Sequence, residues 1–71
     1  MLAKERQDEI FSIIQQKKAI KMSDIVKIFQ VSHETARRDL EVLQEQGLIK
    51  RVYGGGGVFG LPLTAVNLGG R

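Results

Sequence analysis

The stretch Val31-Ser32-His33-Glu34-Thr35-Ala36-Arg37-Arg38-Asp39-Leu40 holds a helix start, an apolar stripe and two adjacent arginines within ten residues. Ser32 is a predicted N-cap, its side-chain oxygen placed to accept from an N–H of the first turn. Ala36 and Leu40, continued by Leu43, recur at i, i+4 and i+7, the spacing of a helix that lays one face on a core. Gly47 is the predicted stop, because glycine accepts the left-handed conformation that commonly closes a helix. With that stripe turned inward, His33, Glu34, Arg37 and Arg38 fall on the other faces.

Upstream, Ile25, Ile28 and Phe29 mark a shorter helix ending near Gln30, with Ser23 as its expected N-cap and Asp24 in its first turn. Two helices joined by so few residues, the second amphipathic and basic at its start, form a helix-turn-helix. A further helix is predicted from Ala3 to about Gln16, carrying Ile10, Phe11, Ile13 and Ile14, and the alternation Ile20-Lys21-Met22 predicts a brief strand. Downstream, Leu48 to Tyr53 favours an extended chain, Gly54 to Gly57 a turn, and Val58-Phe59 a returning strand. The predicted fold is mainly α with a small β-hairpin: a winged helix-turn-helix of three helices plus a wing over residues 1–59. Residues 60–71, with Pro62, Gly69 and Gly70 and no sustained pattern, are expected to be a linker or frayed tail.

A 71-residue chain is one domain at most. It buries only ~60% of its unfolded surface, which leaves little room for an enclosed active site built from well-separated elements. With no cysteine and one histidine, disulfides and thiolate metal centres are excluded and a zinc site is disfavoured. The N-terminus turns charged at once, unlike a signal peptide, and no apolar run approaches the ~20 residues of a membrane span. These features point to a soluble, cytoplasmic domain that is not an enzyme and needs no cofactor or metal of its own. Net charge is +3, and its distribution says more: from Lys17 to Arg38, six cations (Lys17, Lys18, Lys21, Lys27, Arg37, Arg38) face two anions (Asp24, Glu34). Such an excess either draws in a polyanion or is an ordinary solvated surface.

Arginine at the start of a helix suits duplex DNA, since its planar fork pairs with O6 and N7 of guanine and one good pair supplies ~1–3 kcal/mol of discrimination. Arg37 and Arg38 lie ~100° apart around the helix, so one is expected to meet bases and the other backbone, in either order. Ser32 and Thr35 can donate to phosphates. His33 is either a base or phosphate contact or a solvent-facing helix-start residue. Glu34 precedes Arg38 by four residues, an ion-pair spacing worth ~0.2–0.5 kcal/mol, and can alternatively accept from cytosine N4. On the strand, Arg51 and Tyr53 share one side and are candidate phosphate contacts, although Tyr53 is equally suited to packing on the sheet edge. Asp8, Glu9, Asp39, Glu41 and Glu45 read as a solvated helix surface. Gly55-x-Gly57-x-x-Gly60 matches a dinucleotide fingerprint in spacing only: Pro62 forbids the required helix, and no acidic residue follows Glu45.

The pattern Val31-Ser32-x-x-Thr35-x-Arg37-Arg38-Asp39-Leu40, followed by Leu43, Gly47 and Arg51-x-Tyr53-Gly54-Gly55, resembles the N-terminal domain of the DeoR family. Glu5-Arg6 followed by Ile10 fits as well, so the resemblance runs from about Leu2 to Val58. It implies a bacterial transcriptional regulator, usually a repressor of sugar or nucleoside catabolism genes, that binds operator DNA. It also implies a larger C-terminal domain that binds a phosphorylated sugar and assembles oligomers. The present chain then corresponds to the head, expected to be monomeric by itself. One departure is Ala36, where the family usually has isoleucine, which predicts looser packing beneath the third helix. The reading from a different class is a winged-helix module whose third helix or wing contacts a protein, with RNA as a lesser variant.

Overall fold

In the computed structural model, which describes residues 1–52 and 57–62, Ala3–Lys17 forms the first helix, α1. Glu5 Oε1 accepts from the Leu2 N–H at 3.2 Å, tying down the first turn. Ile10 and Ile14, one turn apart, are fully buried. The helix closes at Lys18, which is left-handed (φ 78°) and donates its N–H to the Ile14 carbonyl at 2.7 Å.

A three-residue strand, β1 (Ala19–Lys21), leads directly into α2 (Met22–Phe29). The strand falls one residue earlier than the pattern predicts and the helix starts two residues earlier, with Lys21 rather than Ser23 at the N-cap. Asp24 still provides the carboxylate, accepting from the Lys21 N–H at 3.4 Å. Ile28 was expected in the core and is 53% exposed. The packed face of α2 consists of Met22, Ile25, Val26 and Phe29, which places Ile28 roughly 110° from its middle.

Helix α3 (His33–Glu45) buries Ala36, Asp39, Leu40 and Leu43. It ends as predicted at Gly47 (φ 77°). The Gly47 N–H reaches the Gln44 carbonyl at 3.0 Å and the Leu48 N–H reaches Leu43 at 3.1 Å, the paired bonds of a Schellman stop. Ala36 is completely enclosed despite its short side chain.

Strands β2 (Lys50–Val52) and β3 (Val58–Gly60) pair antiparallel, Arg51 facing Phe59. The hairpin acquires a third strand: the brief strand expected near Ile20 is present, but the sequence pattern did not show that it pairs here. β1 pairs with the other edge of β3, Ile20 facing Phe59, so the order is β1-β3-β2 with β3 in the middle. Of the expected glycine tip, Gly57 is left-handed (φ 82°), while Gly54 to Gly56 and the side to which Tyr53 points lie outside the described residues. The domain also runs past the expected boundary at residue 59. Gly60 is buried and paired with Ala19 and Lys50, and Leu61 packs on the core. The rest of the expected tail, residues 63–71, lies outside the described residues. Gly60 is where backbone comes close to backbone: a Cβ there would sit 2.9 Å from the Lys18 carbonyl oxygen.

The core gathers Ile10, Ile14, Ile20, Ile25, Ala36, Leu40, Leu43, Ile49 and Phe59 from every element but β2. Asp39 stands beside it, only 2% exposed, which corrects its reading as a solvated acid. Its carboxylate accepts from Arg6 Nε, from Arg6 Nη2 at 3.1 Å and from Gln7 Nε2 at 3.0 Å, all donated by α1. The hydrogen bond to Asp39 raises the Arg6 pKa; partial burial opposes the rise and the carboxylate charge adds to it, so the guanidinium stays charged. Among the described residues no helix is long and apolar enough to cross a membrane.

Two destabilisations of different origin are expected in urea. Gly60→Ala drives a methyl into the Lys18 carbonyl and should cost roughly 1–3 kcal/mol. Asp39→Ala strands the Arg6 cation and should cost about 3 kcal/mol, a large share of the stability of so small a domain. Both should lower the unfolding midpoint with little change in the denaturant slope.

Candidate nucleic-acid interface

The buried stripe of α3 decides what its opposite side offers. With Ala36, Asp39, Leu40 and Leu43 turned inward, His33, Glu34, Arg37 and Arg38 are all exposed, and Thr35 is half-buried at the border. The structure therefore brings five of the predicted residues onto the first two turns of one helix, next to its cap. Arg37 and Arg38 keep 62% and 74% of their side-chain surface accessible.

Each arginine has a carboxylate one turn away, at the outer limit of an ion pair. Arg38 Nη2 lies 3.9 Å from Glu34 Oε2, the spacing anticipated from sequence, and Arg37 Nε lies 3.9 Å from Glu41 Oε2, which was not anticipated. Exposed pairs of this length are worth a few tenths of a kcal/mol. A guanine contact is several times stronger, so neither carboxylate holds its arginine back. The net charge along the exposed side is polarised: Arg37 and Arg38 outweigh Glu34 in the N-terminal half, while Glu41 and Glu45 make the C-terminal half negative. The shallow depression bordered by Glu41, Gln44 and Glu45 would repel a phosphate, so the N-terminal half of α3 is the end fit for a polyanion.

Ser32 fulfils the predicted cap: its Oγ accepts from the Thr35 N–H at 3.1 Å and donates to Thr35 Oγ1 at 3.1 Å. The serine hydroxyl is thus engaged within the cap, and the Thr35 hydroxyl is the one left to donate outward. All four lysines of the basic stretch (Lys17, Lys18, Lys21, Lys27) are exposed. The Met22 N–H donates to the Gly57 carbonyl at 2.8 Å, joining the start of α2 to the returning arm of the hairpin. On β2, Arg51 is exposed and its Cζ lies 5.9 Å from the Phe59 ring centroid, a cation–π contact with its facing partner. Lys50 stands on the opposite face, as the alternation predicted. Tyr53 lies outside the described residues.

Sequence reasoning missed the anchor formed by Arg6, Gln7 and Asp39. The signal was there: Asp39 falls three residues after Ala36, and Arg6 four before Ile10, so each lies on its helix's inward stripe.

The family described as the DeoR-like helix-turn-helix domain matches residues 6–59. The HTH-type transcriptional regulator YulB of Bacillus subtilis is 42% identical over 55 residues, 78% of this chain and 21% of that protein. The HTH-type transcriptional regulator GolR of Listeria innocua is 41% identical over 51 residues (72% and 20%). The lactose phosphotransferase system repressor of Staphylococcus epidermidis is 35% identical over 51 residues (72% and 20%). The chain spans about a fifth of the length of these curated relatives. Among solved structures, the reduced form of MarR from E. coli superposes with a TM-score of 0.67 at 19% identity, over 87% of this chain and 45% of that one. This match bears on the fold alone, and the fold is a winged helix.

Removing the cap isolates its share of the site. Ser32→Ala should cost about 1 kcal/mol of stability, read as a lower urea midpoint, with the charged surface left in place.

Proposed function

Because this chain belongs to the DeoR-like helix-turn-helix family and is a DNA-binding regulator domain, we propose that it is the head of a cytoplasmic repressor of sugar catabolism genes and has no catalytic role. α3 enters the major groove by its N-terminal half. One of Arg37 and Arg38 pairs with a guanine and the other with a phosphate. Thr35 and the helix start bind backbone, with His33 and Glu34 at neighbouring base edges and Ser32 supporting them through the cap. Arg51 and Tyr53 reach the sugar-phosphate backbone from the wing. The observation that carries this reading is the exposure of both arginines on the side of α3 opposite its buried stripe.

One relative is named for repression of a lactose phosphotransferase system, which supports the sugar-catabolism reading. On that reading a C-terminal domain of the full-length protein binds a phosphorylated sugar and pairs heads on repeated half-sites. The isolated head binds DNA weakly, as a monomer.

Selection of duplexes from a random DNA pool tests the DNA reading, with the Arg37→Ala/Arg38→Ala double variant alongside. One short motif should be enriched and then lost in the double variant. The single variants should be weakened unequally: one relaxes sequence preference, and the other lowers the slope of log K against log salt by about one unit. Equal, sequence-blind losses would count against direct readout. An absence of any salt-sensitive binding would favour the protein-interaction module instead.

A further inference from the structure

Asp39 follows Arg37 and Arg38 directly, so its azimuth on α3 sets theirs, about 200° and 100° away. Within the reading half of the helix the buried side chains are Ala36 and Asp39. Its one apolar contact with the core is the short Ala36, whereas Leu40 and Leu43 grip the C-terminal half. Apolar packing is also non-directional. The Asp39 carboxylate, by contrast, accepts three side-chain hydrogen bonds, two of them from the planar fork of Arg6, and all three come from α1. A roll of about 20° moves a group about 6 Å from the helix axis through about 2 Å. The working window of an N–H···O bond is only about half an ångström. A flexible arginine absorbs part of such a shift, but a two-point contact with one base edge tolerates little of it.

We propose that Arg6 and Asp39 are positioning residues for DNA recognition: their buried fork sets the roll of α3, and hence which base edges Arg37 and Arg38 reach, without touching DNA. This rests on the reading of α3 as the helix that meets bases. The role differs from stability, because an apolar pair that fills the same space can match a buried ion pair in stability while lacking its direction.

The test compares the 71-residue chain with two variants that leave net charge unchanged, Arg6→Lys and Arg6→Met/Asp39→Leu. The lysine keeps the cation and loses the fork; the double variant removes one charge of each sign. Affinity is measured for the duplex enriched by the wild-type chain and for a scrambled duplex of the same composition, with urea unfolding in parallel. The double variant should unfold no earlier than wild type and bind the scrambled duplex with unchanged affinity and salt slope. In both variants the ratio of specific to scrambled affinity should fall about tenfold, the worth of a displaced base contact. A ratio within twofold of wild type in either folded variant overturns the proposal, and Arg6→Lys decides alone if the double variant does not fold. A wild-type chain with no preference between the duplexes would instead overturn the reading of α3 itself, and the proposal with it.

Discussion

A carboxylate with 2% of its surface exposed has given up its water and must find its compensation in the protein. Asp39 finds all of it on a helix more than thirty residues earlier in the chain. Separating α1 from α3 would therefore leave a charge stranded in apolar surroundings, whereas sliding one apolar surface over another would cost far less. The fork does not supply the bulk of the folding energy, since burying two charges takes back much of what their attraction returns. Its contribution is direction. Among the described residues nine buried apolar side chains form the core, and this polar contact adds a directional link between α1 and α3.

The rest of the frame hangs on β3. That strand has a neighbour on each edge, one its hairpin partner and the other from far earlier in the chain, and the Met22–Gly57 bond extends the same ladder to the first residue of α2. The helix-turn-helix and the hairpin are consequently parts of one structure. The glycine at residue 60 is what lets this sheet close, because the Lys18 carbonyl occupies the space a side chain would need. Lys18 is itself the left-handed residue that ends α1, so the end of the first helix and the last residue of the sheet share one tight corner.

Most of the fold was legible because its helices are amphipathic over two or more turns and carry explicit stops. Ser32 and Gly47 behave as their chemistry dictates, and the stripe Ala36, Leu40, Leu43 is buried as its spacing requires. What escaped was long-range. A three-residue strand such as β1 carries too little periodicity to reveal its partner, and nothing local to Gly60 shows that it meets Lys18. Ile28 was misplaced because i, i+3 and i+1, i+4 faces overlap in a helix of eight residues. The candidate site was legible as a face, since exposure of His33, Glu34, Arg37 and Arg38 follows from the stripe. Asp39 was misread because charge was weighed before position: it continues the inward stripe, and so do Arg6 and Gln7 on α1.

The separation of the two sides of α3 has a consequence for how such heads diversify. The inward residues answer to the core and to α1, while the outward ones answer to whatever lies in front of the helix. Exchanging His33, Glu34, Arg37 or Arg38 alters contacts with solvent and partner but leaves the interior as it was. A duplicated copy of this head is therefore free to change its outward face through a handful of exposed positions without disturbing the core. The same four positions can be varied together while Asp39 and the rest of the buried stripe stay constant, because none of the four is part of the interior.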